Sequence, residues 1–171
     1  MIVSETILRD IFSQLPSYID SNSKLFPIRY EWGDQPDLLL FLKTIKDNKY
    51  PLVWLVNGDE TVDRVRHTLT RRCRLILAKD SQHVTNRNPT VWDTEFVNCL
   101  NPLLENVLKA LDRSGVTTIL SIENQRREAN YTEEDLTKAT DFWNVIVLDI
   151  NVLFKEKSDG TAQCINTIKF T

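Results

Sequence analysis

Glycine is scarce in this chain, with four residues in 171. That is too few for a glycine-rich phosphate loop, and no Gly-x-Ser-x-Gly nucleophile turn occurs either. Cysteine is equally thin: Cys73, Cys99 and Cys164 show no CxxC spacing. Their odd count and spacing argue against both a disulfide framework and a zinc knuckle, and buried free thiols are the simple reading. His67 and His83 are the only histidines, and no cysteine or carboxylate spacing around them makes a metal site. No apolar run approaches the roughly 20 residues that span a bilayer. Residues 1–11 carry Glu5, Arg9 and Asp10 where a secretory leader would be continuously apolar, so the chain is expected to remain in a cytoplasm and off the membrane. A large positive charge is missing too. At a net charge of -3, any nucleic-acid contact must come from local clustering.

Against these absences, 42% hydrophobic and 26% charged residues are the balance of an ordinary globular protein, and the length suits one core. One domain over residues 1–171 is expected. Its centre is Lys49 to Val56, KYPLVWLV, the most compact fully apolar run, read from Tyr50 as a central strand covered on both faces. Before it, Ile7, Leu8, Ile11, Phe12 and Leu15 keep the spacing of one helical face, with Ser4 as N-cap and Pro16 as the stop. Ile28, Tyr30 and Trp32 alternate with Arg29 and Glu31 as a short strand, and a leucine-rich helix from Gln35 to Lys46 is expected to be buried on more than one side.

After it, Asn57-Gly58-Asp59-Glu60 reads as a turn, and Val62 to Ala78 as one long strand. Its one face is Val65, His67, Leu69, Cys73, Leu75 and Leu77, interrupted by Arg71; the other carries Arg64, Arg66, Arg72 and Arg74. Six of the 21 basic residues fall between Arg64 and Lys79, which is the local clustering that the overall charge lacks. Ser81 to Pro89 reads as a loop, followed by a helix started by Thr90 and Asp93, kinked at Pro102 and stopped at Gly115. Val116 to Ile122 is a further strand. Asn124 to Thr140 is polar, with a short helix capped by Thr132 and Asp135. Trp143 to Phe154 and Ala162 to Phe170 form a terminal hairpin around Gly160. This order favours an α+β fold, a mixed or antiparallel sheet with helices mainly on one face.

Four pieces taken in order resemble a known family: Lys49-Tyr50-Pro51-Leu52 with its apolar strand, the strand end Leu75-Ile76-Leu77-Ala78, the helix Phe96-x3-Leu100-Asn101-Pro102-Leu103, and the late strand Asp141 to Leu148 leading to Cys164. The order is similar to that of head-to-tail connector proteins of the tail-terminator and tail-completion type in tailed bacteriophages, particularly crAss-like and related phages of Bacteroidetes. It covers residues 49 to 171 and departs at Asn144, where relatives often carry Asp. The resemblance implies a tail-terminator-like subunit of a homo-oligomeric ring in the virion neck or tail, assembled in the host cytoplasm. Its partners would be adjoining neck, portal-adaptor or tail proteins, and it would have no cofactor, metal or chemistry of its own.

Arg64, Arg66, Arg72 and Arg74 are therefore candidates to line a ring lumen and meet the phosphates of passing DNA without reading bases. Alternatively they lie on a solvated face, or pair with a neighbouring subunit's acids such as Glu133, Glu134 and Asp135. Trp92, beside a polar loop at a helix start, is a candidate interface anchor; Trp32, Trp54 and Trp143 read as core. Two other readings stand beside the ring. Pro36-Asp37 with Asp47-Asn48-Lys49 formally matches a Mg²⁺-dependent nuclease pattern, in which two carboxylates hold the metal. The third is a host cytoplasmic interaction module.

Overall fold

Thirteen consecutive residue pairs join two strands, Thr68–Asp80 and Trp143–Lys155, antiparallel along their whole length. The rest of the molecule is laid against this pair. The computed structural model describes residues 3–80, 92–131, 143–155 and 165–170. In chain order the elements are α1 (Ser4–Phe12), β1 (Tyr18–Ile19), β2 (Leu25–Phe26), β3 (Arg29–Gly33), α2 (Gln35–Thr44), β4 (Leu52–Val56), β5 (Glu60–Asp63), β6 (Thr68–Asp80), a π-helical segment (Asp93–Leu100), α3 (Asn101–Arg113), β7 (Thr117–Tyr131) and β8 (Trp143–Lys155). The main sheet runs β3-β4-β6-β8-β7, with β5 beside the first half of β6; β1 and β2 pair separately. Only β3 and β4 are parallel, so the sheet is mixed and the fold is α+β.

Both faces carry a core because the middle strands are apolar on alternate sides of the pleat. On the first face, Leu69, Cys73, Leu75, Leu77, Leu148, Ile150 and Val152 meet α1 through Leu8, Ile11 and Phe12, and α3 through Leu103, Val107 and Leu111. On the second, Leu52, Trp54, Ile76, Ala78, Val145 and Val147 meet only α2, through Leu38 and Leu42. Helices thus lie mainly on one face. Among the described residues, no helix covers the second face beyond Ile76, where β6 continues with Arg74, Arg72, Thr70 and Thr68.

The central strand at residues 52–56 is as expected, and both its faces are covered. Several boundaries differ from expectation for identifiable reasons. Ser4 does not cap α1, because its hydroxyl is spent on Glu60 and Arg71; Val3 holds the N-cap position. The capping box that does form is on α2, where Asp34 and Asp37 each accept from the other's backbone N–H. That helix buries only Leu38 and Leu42, and Leu40 is 65% exposed. Asn57 to Asp59 does not reverse the chain: β4 and β5 follow one another along the same edge of β6. The reversal comes at Arg64 to His67, where the Asp63 carboxylate accepts from the backbone N–H groups of Val65 and Arg66 and His67 adopts a φ of 52°. The strand expected from Val62 onward is therefore broken, and His67 and Val65 are exposed rather than on an apolar strand face.

Pro102 lies in the first turn of α3. Proline has no N–H to give and its ring crowds the carbonyl a turn back, so a continuous α-helix from residue 93 is not available. Upstream, the wider π-helical turns end with the Asn101 N–H bonding Phe96 O, five residues back. Gly115 follows α3 at a φ of 78°, the expected stop. The strand expected to end at Ile122 continues through the polar stretch from Asn124 as β7, to Tyr131, with register breaks between Ile119 and Ser121, Ile122 and Asn124, and Glu128 and Tyr131. Residues 165–170 form no strand and no hairpin with β8; Asn166 N–H bonds Ser114 O, Ile168 N–H bonds the Gln14 side chain, and Ile168 is buried. The loop at 81–89 and the helix start expected at 132–135 lie outside the described residues.

Leu148→Ala, at a site with no exposed surface, is expected to lower the unfolding free energy by about 2–5 kcal/mol. Leu40→Ala should change it by less than about 0.5 kcal/mol. Urea unfolding midpoints of both variants check this pairing.

Candidate functional site

The arginines of the basic cluster separate by strand face. Arg71 shares the first face with Leu69 and Cys73 and is 2% exposed. A buried guanidinium needs partners, and α1 brings them: Nη1 donates to Ser4 Oγ at 2.6 Å, to Glu5 and, at 3.0 Å, to Glu60. Burial would push the Glu5 carboxyl up, but the hydrogen bond and charge of Arg71 hold it below its ordinary value. This cluster ties the N-terminus of α1 to β5 and β6. It is structural, and no sequence spacing announced it.

Arg72 and Arg74 lie on the open second face, and each has an acid of its own chain. Arg74 Nε is 2.7 Å from Asp149 Oδ1, and its Nη2 reaches Oδ2 at 3.3 Å. Asp149 is 5% exposed, and the Arg74 hydrogen bond holds its carboxyl below the usual range. Arg72 Nη2 sits 2.8 Å from Glu123 Oε2 on β7. Asn151 joins the same polar surface, donating to Glu123 and Ser121. Two of the four candidate lumen residues therefore meet acids within the subunit. The other two, Arg64 and Arg66, sit in the exposed turn between β5 and β6, where Arg66 is 3.8 Å from Asp63 in a solvated pair. The four arginines do not form one basic strand face. Glu133, Glu134 and Asp135 lie outside the described residues. Trp92 is 43% exposed and stacks on Phe96 with ring centroids 4.2 Å apart. Trp54 and Trp143 are core, while Trp32 is partly exposed and stacked on Tyr30.

Two open clefts flank α2. One of about 800 Å³ is lined by Asp47 and Lys49 together with Lys79, Asp80, Glu95 and Tyr50. The other, about 770 Å³, is lined by Asp37 with Arg29, Glu31, Trp32, Leu40 and Phe41. Asp37 lies in the first turn of α2 and Asp47 three residues past its end, with about 10 Å of helix between Asp37 and Thr44, and they line different clefts. That separation does not allow them to share one Mg²⁺, and Asp37 is already engaged as a helix cap. Among the described residues, no group of three or more His, Cys, Asp or Glu side chains is placed to hold a metal ion. No helix among them is long and apolar enough to cross a membrane. Burial pushes the thiols of Cys73 and Cys99 up to about 12, so neither is a thiolate near neutrality.

A scan against protein-family models finds no match for this chain, and a search of curated proteins finds none either.

Because the folded value of Asp149 is depressed, its contribution to stability is complete above the ordinary carboxylate range and is lost as pH falls through the folded value. Asp149→Asn should therefore be less stable than the parent at neutral pH and show a flatter fall in stability below about pH 4; urea midpoints measured across acid pH check the slope. Cys73 and Cys99 should resist iodoacetamide at pH 8 in the folded protein and react once denatured, read by peptide mass mapping.

Proposed function

We propose that this chain is a non-enzymatic structural subunit of a tailed-bacteriophage virion, forming a homo-oligomeric ring at the head–tail junction or the tail end. The order of motifs from Lys49 onward supports the class. The observation that carries the assembly part is that the sheet ends in two edge strands, β3 and β7, and β7 is exposed from Leu120 to Arg127. Paired on one side only, an edge strand leaves a row of backbone donors and acceptors for another chain. Exposed Leu120 and Ile122 on that edge, at 54% and 52%, add apolar surface of the sort that a neighbour covers.

In this reading the β6–β8 core is the rigid body, and the edges make the ring. Arg72 and Arg74 on the open second face are each paired with an acid of their own subunit, which makes that face the weaker choice for the lumen surface. Contact with passing DNA falls instead to the turn bearing Arg64 and Arg66, through phosphates alone. Adjoining neck, portal-adaptor or tail proteins would dock above and below the ring.

Light scattering and native mass spectrometry of the purified protein, over a range of concentration and salt, should give one discrete closed oligomer, or a monomer converted to one by a neck protein. A chain that stays monomeric throughout, alone and with virion extracts, would overturn the proposal. Arg64→Ala with Arg66→Ala should leave the oligomer intact and lower the salt-dependent affinity for duplex DNA about tenfold or less, measured by fluorescence anisotropy.

A further inference from the structure

The geometry points to the contact itself: edge strand β3 of one copy pairs antiparallel with β7 of the next, in the register Arg29 opposite Glu128 and Glu31 opposite Arg126. This inference rests on the homo-oligomeric part of the reading above and names the surface.

Strand direction comes first. β3 is parallel to β4, and β4, β6, β8 and β7 then alternate, so β3 and β7 run in opposite senses at the two edges. Copies related by rotation about an axis along the strands keep one orientation, and β3 of one then meets β7 of the next antiparallel. The two edges are different surfaces, which is what a head-to-tail ring requires.

Charge fixes the register. β3 carries Arg29 and Glu31 on its second face, 3.0 Å apart as an ion pair. β7 carries Arg126 and Glu128 on the same face, also paired, at 2.9 Å. Each edge thus reads Arg-x-Glu. Laid antiparallel, each arginine faces a glutamate twice over; laid parallel, like would face like. On the first face the same register sets Arg127, held by Asn101 Oδ1 at 3.1 Å, opposite Tyr30, whose ring stacks on Trp32.

Length agrees independently. Between its register breaks, β7 has one regular run at this end, Asn124 to Glu128, paired without slip to Asp149 through Val145. β3 is Arg29 to Gly33. The register chosen by charge superimposes these two five-residue runs from end to end, Gly33 meeting Asn124. Beside β3 lies the 770 Å³ cleft lined by Arg29, Glu31, Trp32 and the exposed Leu40, which gives the neighbour's second-face side chains a place to lie.

Three variants of the full chain test this by native mass spectrometry: Arg29→Glu with Glu31→Arg, Arg126→Glu with Glu128→Arg, and all four together. Each swap keeps the ion pair within its own strand, and far-UV circular dichroism with a thermal melt confirms folding. Each two-residue swap should abolish the oligomer seen for the parent, whereas the fourfold variant should regain it, as should an equimolar mixture of the two swapped proteins when the ring has an even number of subunits. A swapped Arg-x-Glu edge remains complementary to itself, so a two-fold β3–β3 or β7–β7 contact would be untouched by either swap. An oligomer that persists in both swapped proteins therefore overturns this contact while leaving the ring standing. A fourfold variant that folds and stays monomeric also overturns it. A parent that is monomeric under all conditions overturns the contact and the ring together.

Discussion

The full-length pairing of β6 with β8 is the constraint from which the rest of the structure follows. Both strands are apolar on alternating sides, so pairing them creates two greasy surfaces at once, and neither is stable in water uncovered. The first takes α1 and α3, the second takes α2. Where β6 turns polar on its second side, at Arg74, Arg72, Thr70 and Thr68, no helix is needed, and none is found among the described residues. The one charge that falls on the wrong side, Arg71, is accommodated by moving acids to it: Glu5 from the first turn of α1 and Glu60 from β5. A buried guanidinium is costly unless so surrounded. The position of α1 is thus set by its apolar stripe along its length and by an ion cluster at its start.

The strands most easily read from the sequence were those whose burial demands a pattern. Leu52 to Val56 and Trp143 to Phe154 are apolar on both sides and announce themselves. The hairpin turn at Arg64 to His67 was hidden because Arg-Val-Arg-His-Thr-Leu-Thr, residues 64–70, keeps alternating straight through it; a period of two says nothing about where the chain reverses. Asn57-Gly58 misled in the opposite sense, marking an interruption between two strands that continue along one edge. β7 beyond Asn124 carries no strand signal because an edge strand exposed on both sides needs no apolar residues. The wide helical turns at Asp93 to Leu100 have no compositional signature, although Pro102, which enforces the break, was visible.

The candidate site was legible only in part. Of the arginines expected on one strand face, only Arg72 and Arg74 lie on β6, and what they do depends on what stands opposite: Asp149 and Glu123 lie 75 and 51 positions along the chain from their partners. Local sequence cannot report such pairings. The match of Asp37 and Asp47 to a metal-dependent pattern failed for a related reason: spacing along the chain was right, but a helix lies between the two carboxylates and holds them apart.

The register breaks of β7 also bear on solubility. A long, flat, unpaired strand invites indiscriminate stacking, a hazard that grows with protein concentration. The longest regular run on β7 is five residues, Asn124 to Glu128, with a register break at each end. A cross-β aggregate requires an uninterrupted template longer than this and tolerant of any partner. The described edge is a short, charge-patterned segment between register breaks, a poor template for a growing fibril.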